Sequence, residues 1–257
     1  MNKIISIVFV VTSLYGQAFD ISKVTYYGGI HSNNISTSGF ANFHLSDWET
    51  YGLKNDNSSN AEGRVNVPLG DKDITGNIMG IYFGSEYPMT NRINSLVELQ
   101  VGLGKVTYGA AFLGIAVNVI KKDKFSLGIM PKIGGGIVSA DFGSISLIDG
   151  YQAPVIIPEG TFTDGDSLSM EIIGTAFQIG ITPSYKINDK ISITGQAGYS
   201  ISSISESTIK VNDEVEIPLD ATGVVKVDYT GTHADLNPTA DTGGIYFQFG
   251  IRYKMGK

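Results

Sequence analysis

Acid–base catalysis needs an imidazole held near a carboxylate or a hydroxyl, and the chain has three histidines, His31, His44 and His233. His44 precedes Asp47 and Glu49, and His233 precedes Asp235. Such groupings could serve a rim-located lipid or peptide hydrolase, but neither stretch carries a nucleophile elbow or another catalytic spacing. Cysteine is absent, which removes thiolate nucleophiles, thiolate metal ligands and disulfides. The run Thr163-Asp164-Gly165-Asp166-Ser167 alternates oxygen ligands as a calcium loop does. It lacks the closing glutamate and reads as a solvated turn. The expectation is therefore a non-enzymatic protein with no metal and no cofactor. What remains is a set of charges in stretches otherwise poor in charge: Glu86, Glu98, Lys132, Lys186 and Arg252. Charges in low-dielectric surroundings must be paired, so Glu98, Lys132 and Arg252 predict a network with Gln100, Gln178, Gln196 and Gln248.

The elements around these residues share one pattern. In GGIYFQFGIRYK, Ile245, Phe247, Phe249, Ile251 and Tyr253 alternate with Tyr246, Gln248, Gly250 and Arg252. Side chains on a strand point alternately to its two faces, so this is a strand with one apolar and one polar side. The same alternation runs from Thr175 to Ile187, from Ile191 to Ile201, and from Phe125 to Ile137. It recurs around Val97–Leu103, Leu113–Val119 and Met79–Phe83, and more weakly around Tyr26–Ile30. About eight strands of roughly ten residues result, the length a tilted transmembrane strand requires. The triple glycine Gly134–Gly136 falls within one of them and reads as a bulge or bend rather than a phosphate loop.

The connections on one side are all short and on the other mostly long, with one tight turn near Lys105–Tyr108. Glu86–Asn94, Lys121–Lys124 and Asn188–Lys190 are short, whereas Asn33–Asp73, Asp141–Ser169 and Ser203–Thr242 are long. The N-terminus, with Lys3 ahead of the apolar run Ile4–Val11 and then small residues, has the layout of an export signal over residues 1–18, cleaved after Gly16 or Ala18. Residues 19–257 then form a single domain. A net charge of −7 argues against a nucleic-acid partner.

Two arguments decide which face meets which solvent. Water-facing strands normally carry lysine, glutamate and aspartate, yet the polar faces here carry mostly glycine, serine, threonine and glutamine, suited to a narrow interior. The apolar columns carry no charge, as lipid contact demands at about 2–4 kcal/mol for a lysine or arginine near the bilayer centre. Tyr87, Phe125, Tyr185 and Tyr253 fall on the apolar face beside the short turns, which predicts an aromatic girdle there. The fold expected is all-β: an eight-stranded antiparallel up-and-down transmembrane β-barrel with long external loops, closed by pairing of its last strand with the first.

This signal-like N-terminus, the eight alternating strands and the three long loops resemble the small outer-membrane β-barrel family typified by the OmpA transmembrane domain and OmpX. The resemblance covers residues 19–257 and rests on architecture, and it implies fold and location far more than activity. It implies a cell outer-membrane location with both termini periplasmic, contact with outer-membrane lipids, and insertion by the barrel-assembly machinery. Two departures are expected: no periplasmic domain follows, and the last aromatic is Tyr253 rather than a terminal residue. The function expected is envelope structure or surface recognition through the external loops, with an extracellular ligand or host surface as partner and the lumen largely plugged. The alternative is an OmpW-like conduit for small or apolar solutes. The first long loop carries Phe40, Phe43, Trp48 and Tyr51, candidates for recognition or ligand binding. In the last, IKVNDEVEIPL and GVVKVDY predict a hairpin about a turn at Asp220–Gly223.

Overall fold

Alternating β-branched and aromatic side chains favour extended backbone, and eight such segments pair in chain order. The computed structural model describes residues 20–38, 65–66, 75–104, 106–144, 146–147, 155–157, 160–163, 165–212, 215–218, 239–241 and 243–256. The long strands are β1 (Thr25–Ser38), β2 (Thr75–Pro88), β3 (Ile93–Leu103), β4 (Thr107–Lys121), β5 (Phe125–Ser144), β6 (Ser167–Lys186), β7 (Ile191–Val211) and β8 (Gly244–Lys254). Each pairs antiparallel with its neighbour, and β8 returns to β1 from Thr25↔Lys254 to Asn33↔Tyr246. The sheet closes on itself as an eight-stranded transmembrane barrel without free edges in the membrane zone.

The outward face is a belt of exposed apolar side chains, among them Ile81, Phe83, Val101, Ile133, Ile181 and Phe249. A surface of this extent has no counterpart in a water-soluble monomer and matches the lipid-facing band of a membrane barrel. No helix among the described residues is long and apolar enough to cross a membrane; the strands do the crossing.

Several strands are longer than the sequence pattern suggests. β5 and β6 have 20 residues and β7 has 21, about twice what a bilayer requires. On β5, Phe125 stands beside a short turn while the outward positions become Ser139 and Asp141 at the other end. The extra length therefore rises above the belt on the long-loop side, where Lys210 and Glu171 pair at 3.0 Å. β1 likewise continues to Ser38 rather than ending near Ile30.

One local expectation is corrected. Gly134–Gly136 keep unbroken register with both neighbouring strands and form no bulge; the irregularities lie at Asn118/Ile120, Leu168/Ser169 and Ile173/Gly174. Glycine is required at Gly134 by space, since a Cβ there would sit 2.0 Å from the Ala111 carbonyl and 2.8 Å from the Phe112 ring. The hairpin beyond β7 turns at Asn212, in the left-handed region at φ 52°, and pairs Val211 with Val215. The turn expected at Asp220–Gly223 lies outside the described residues.

Candidate functional site

Large lumen side chains face glycines on neighbouring strands. Tyr27 is paired with Gly84, Tyr82 with Gly29, His31 with Gly80, Phe112 with Gly134 and Tyr246 with Gly198. A small barrel leaves only side-chain width inside, so each ring needs an empty position opposite it. Tyr246 and Phe112 are consequently among the most deeply buried side chains.

In the middle of the lumen, Lys132 on β5 and Glu98 on β3 form an ion pair at 2.7 Å, with both side chains fully shielded from solvent. Glu98 Oε1 also accepts from Gln100 Nε2 at 2.7 Å and Gln248 Nε2 at 2.8 Å. Gln100 Nε2 donates further to Gln178 Oε1 at 3.1 Å, while its Oε1 accepts from Asn33 Nδ2 at 3.1 Å. The Lys132 ammonium lies 5.5 Å from the Phe112 ring centre and 5.3 Å from that of Tyr246, whose hydroxyl accepts from Gln196 Nε2. Toward the long loops the filling becomes apolar, with Ile78, Val138, Ala140, Met170 and Ile172 buried.

A second ion pair lies nearer the short turns. Arg252 Nη2 donates to Glu86 Oε1 at 2.5 Å, Asn94 Nδ2 donates to Glu86 Oε2 at 2.8 Å, and the guanidinium lies 5.8 Å from the Tyr27 ring centre. The structure thus brings Glu98 to Lys132 and Glu86 to Arg252, as two pairs rather than one network. Lys186 joins neither; its ammonium meets Asp189 in the adjoining turn at 2.7 Å, and that hydrogen bond and charge hold the Asp189 carboxyl below its ordinary value.

Below the Arg252–Glu86 pair the lumen opens as a polar cup of about 270 Å³ at the short-turn end. Every strand contributes to its wall, including Thr25, Asn94, Asn118, Ser126, Ser184 and Ser192. The outer wall at this level carries the aromatics. Tyr185 stands directly opposite Phe125, and Tyr253 opposite Tyr26, whose ring stacks at 6.1 Å on Phe83. Tyr87 lies on β2, one residue past Glu86.

His31 is buried in the lumen, its ring 6.2 Å from that of Tyr108 and its Nε2 3.1 Å from the Val101 carbonyl. His44, His233, Phe40, Phe43, Trp48 and Tyr51 lie outside the described residues. In the former calcium candidate, Asp166 Oδ2 accepts from Thr163 N at 2.5 Å and Gly165 has φ 89°, a turn closed on itself. No cluster of three or more metal-ligating side chains occurs among the described residues. Sequence reasoning set Tyr27, Tyr82 and Tyr246 on the polar face without giving them a role, and it did not place Tyr108 and Phe112. Their signal was phase: each shares the strand face of the glycines and glutamines.

No family model matches the chain, and no curated protein matches it in sequence. Among solved structures it is similar to Neisserial surface protein A, at 11% identity and TM-score 0.39, over 89% of this chain and 96% of that one. It is similar to Ail, the attachment invasion locus protein of Yersinia pestis, at 11% identity and TM-score 0.36, over 88% and 97%. It is also similar to the outer membrane protease OmpT from Escherichia coli, at 8% identity and TM-score 0.39, over 93% and 99%. An attachment protein and a protease both stand among them, so the likeness assigns no activity.

Proposed function

We propose that this chain is an integral outer-membrane β-barrel with a closed lumen. In this reading it serves envelope structure or surface recognition through its long-loop end, and it is not an enzyme. The observation that carries this is the Lys132–Glu98 pair, which joins β5 to β3 inside the lumen and is linked on to β8 through Gln248 and to β6 through Gln100 and Gln178, with aromatic rings against it. Both termini and the short turns face the periplasm in this reading, and the extended parts of β5–β7 raise the loops toward an extracellular ligand or host surface. Outer-membrane lipids contact the belt, and insertion is by the barrel-assembly machinery. Single-channel recording of the refolded protein in planar bilayers tests the closed lumen. The expected trace is a flat baseline; large, stable currents would overturn it.

A second reading, a conduit for small or apolar solutes, draws on one feature. An apolar recess of about 390 Å³ lies against the wall beside Pro183 and Gly195, framed by Ile181, Phe247 and Phe249. An amphiphile co-purifying in stoichiometric amount would favour this reading over the first.

A further inference from the structure

The cup at the short-turn end differs in charge from the rest of the molecule. The chain carries 25 acidic against 18 basic residues. The cup wall reverses that balance, with Lys121, Lys186, Lys190, Arg252 and Lys254 against only Glu86 and Asp189. Both carboxylates are already engaged, Glu86 by Arg252 and Asn94, and Asp189 by Lys186. Among the described residues no carboxylate lies within ion-pair distance of Lys121, Lys190 or Lys254; Lys121 Nζ donates to the Asn91 carbonyl at 3.3 Å, and Lys254 adds to the positive field on Asp189. Lys254 and Lys190 are held side by side, because Lys254 N donates to the Lys190 carbonyl at 2.9 Å. The filled lumen above makes the cup blind. A volume of about 270 Å³ is room for about nine waters at about 30 Å³ each, the size of a small solute and not of a polymer.

We propose that this cup is a binding site for a small phosphorylated anion, of the size and charge of a diphosphate group. Ammonium groups on the cup wall, those of Lys190 and Lys254 first among them, supply charge-assisted hydrogen bonds to phosphate oxygens. The serine hydroxyls and asparagine amides around the wall supply neutral ones. The chemistry depends only on the cup. Which compartment supplies the ligand rests on the orientation in the reading above, under which the cup opens to the periplasm. The phosphate could be carried by a free solute or by the headgroup of an inner-leaflet lipid.

The test is calorimetric titration of the full-length protein, refolded in an alkyl maltoside at low ionic strength, with sodium pyrophosphate. Saturable binding at one site per chain is expected. The double variant Lys190→Gln/Lys254→Gln should weaken it at least about tenfold, two charge-assisted contacts being lost. Lys122→Gln/Lys124→Gln removes the same charge from the same rim outside the cup and should change it less than about twofold. Heat-dependent gel mobility verifies that each variant is folded. Absence of saturable binding, or equal loss in the two double variants, would overturn the site in favour of diffuse attraction. Repeating the titration in nanodiscs with and without phosphatidylglycerol identifies the source. Competition by the lipid supports a headgroup, and unchanged pyrophosphate affinity supports a free solute. A barrel that conducts yet binds pyrophosphate would sink the closed-lumen reading and leave this one standing.

Discussion

Glu98 Oε1 takes hydrogen bonds from three donors, and each of them comes from a different strand or a different position along one. In a dry lumen such a pair is a weak source of net stability, because desolvating both charges nearly cancels their attraction. Removing one partner is another matter, since it strands the other charge without solvent. Lys132→Met is therefore expected to destabilise the folded barrel by about 3–5 kcal/mol, and Glu98→Gln by a comparable amount. The double variant should recover much of that loss, because no charge is left unpaired. Chemical unfolding of the four proteins in one lipid system gives the coupling energy directly. Single variants costing less than about 1 kcal/mol would mean that the two charges are solvated rather than buried.

At the scale of the elements, the β6–β7 ladder is interrupted within the apolar belt. Its register runs through Ile181↔Ala197 and resumes at Ser184↔Thr194, and Pro183 lies between. Proline has no N–H to give the ladder and is tolerated in sheets chiefly at edges and irregularities. Here its carbonyl accepts instead from Thr194 Oγ1 at 3.3 Å. Pro183→Val faces lipid, keeps the belt apolar and restores a donor toward β7. A gain of about 0.5–1.5 kcal/mol in unfolding free energy is expected, the net worth of one hydrogen bond. Faster amide exchange at Thr194 and Gly195 in the unsubstituted protein than in the variant would locate the effect. An unchanged or lowered stability would show that the wall has adapted to the proline.

For the whole molecule the decisive dimension is the height of the apolar belt against the length of the strands. Tyr185 and Phe125 stand opposite each other at one end of the belt, and polar outward positions begin near Ser139 on β5 and Thr175 on β6. That leaves Phe125–Ile137 of β5 and Phe177–Tyr185 of β6 in lipid, close to the roughly 9–11 residues a tilted transmembrane strand requires. Ile179→Lys, in the middle of this zone, should cost about 2–4 kcal/mol, whereas Ser139→Lys, above it, should cost about 0–1 kcal/mol. Equilibrium unfolding from bilayers of defined thickness distinguishes the two. Equal costs would mean that the bilayer does not sit where the belt puts it.

Period-two alternation in GGIYFQFGIRYK and its counterparts made the eight strands, their inward and outward faces and the closing pair β8–β1 legible, because a strand exposed to two different solvents must write both into its residues. The same alternation put Glu98, Lys132 and Arg252 on one face and the ring-bearing Tyr27, Tyr82 and Tyr246 with them. It could not say which would touch. Partners across a barrel are set by stagger and tilt, which depend on all eight registers together and leave no local trace in any one strand. Only the closed structure therefore separated Glu98–Lys132 from Glu86–Arg252, matched Phe112 to Gly134, and gathered lysines from distant turns around one blind cup.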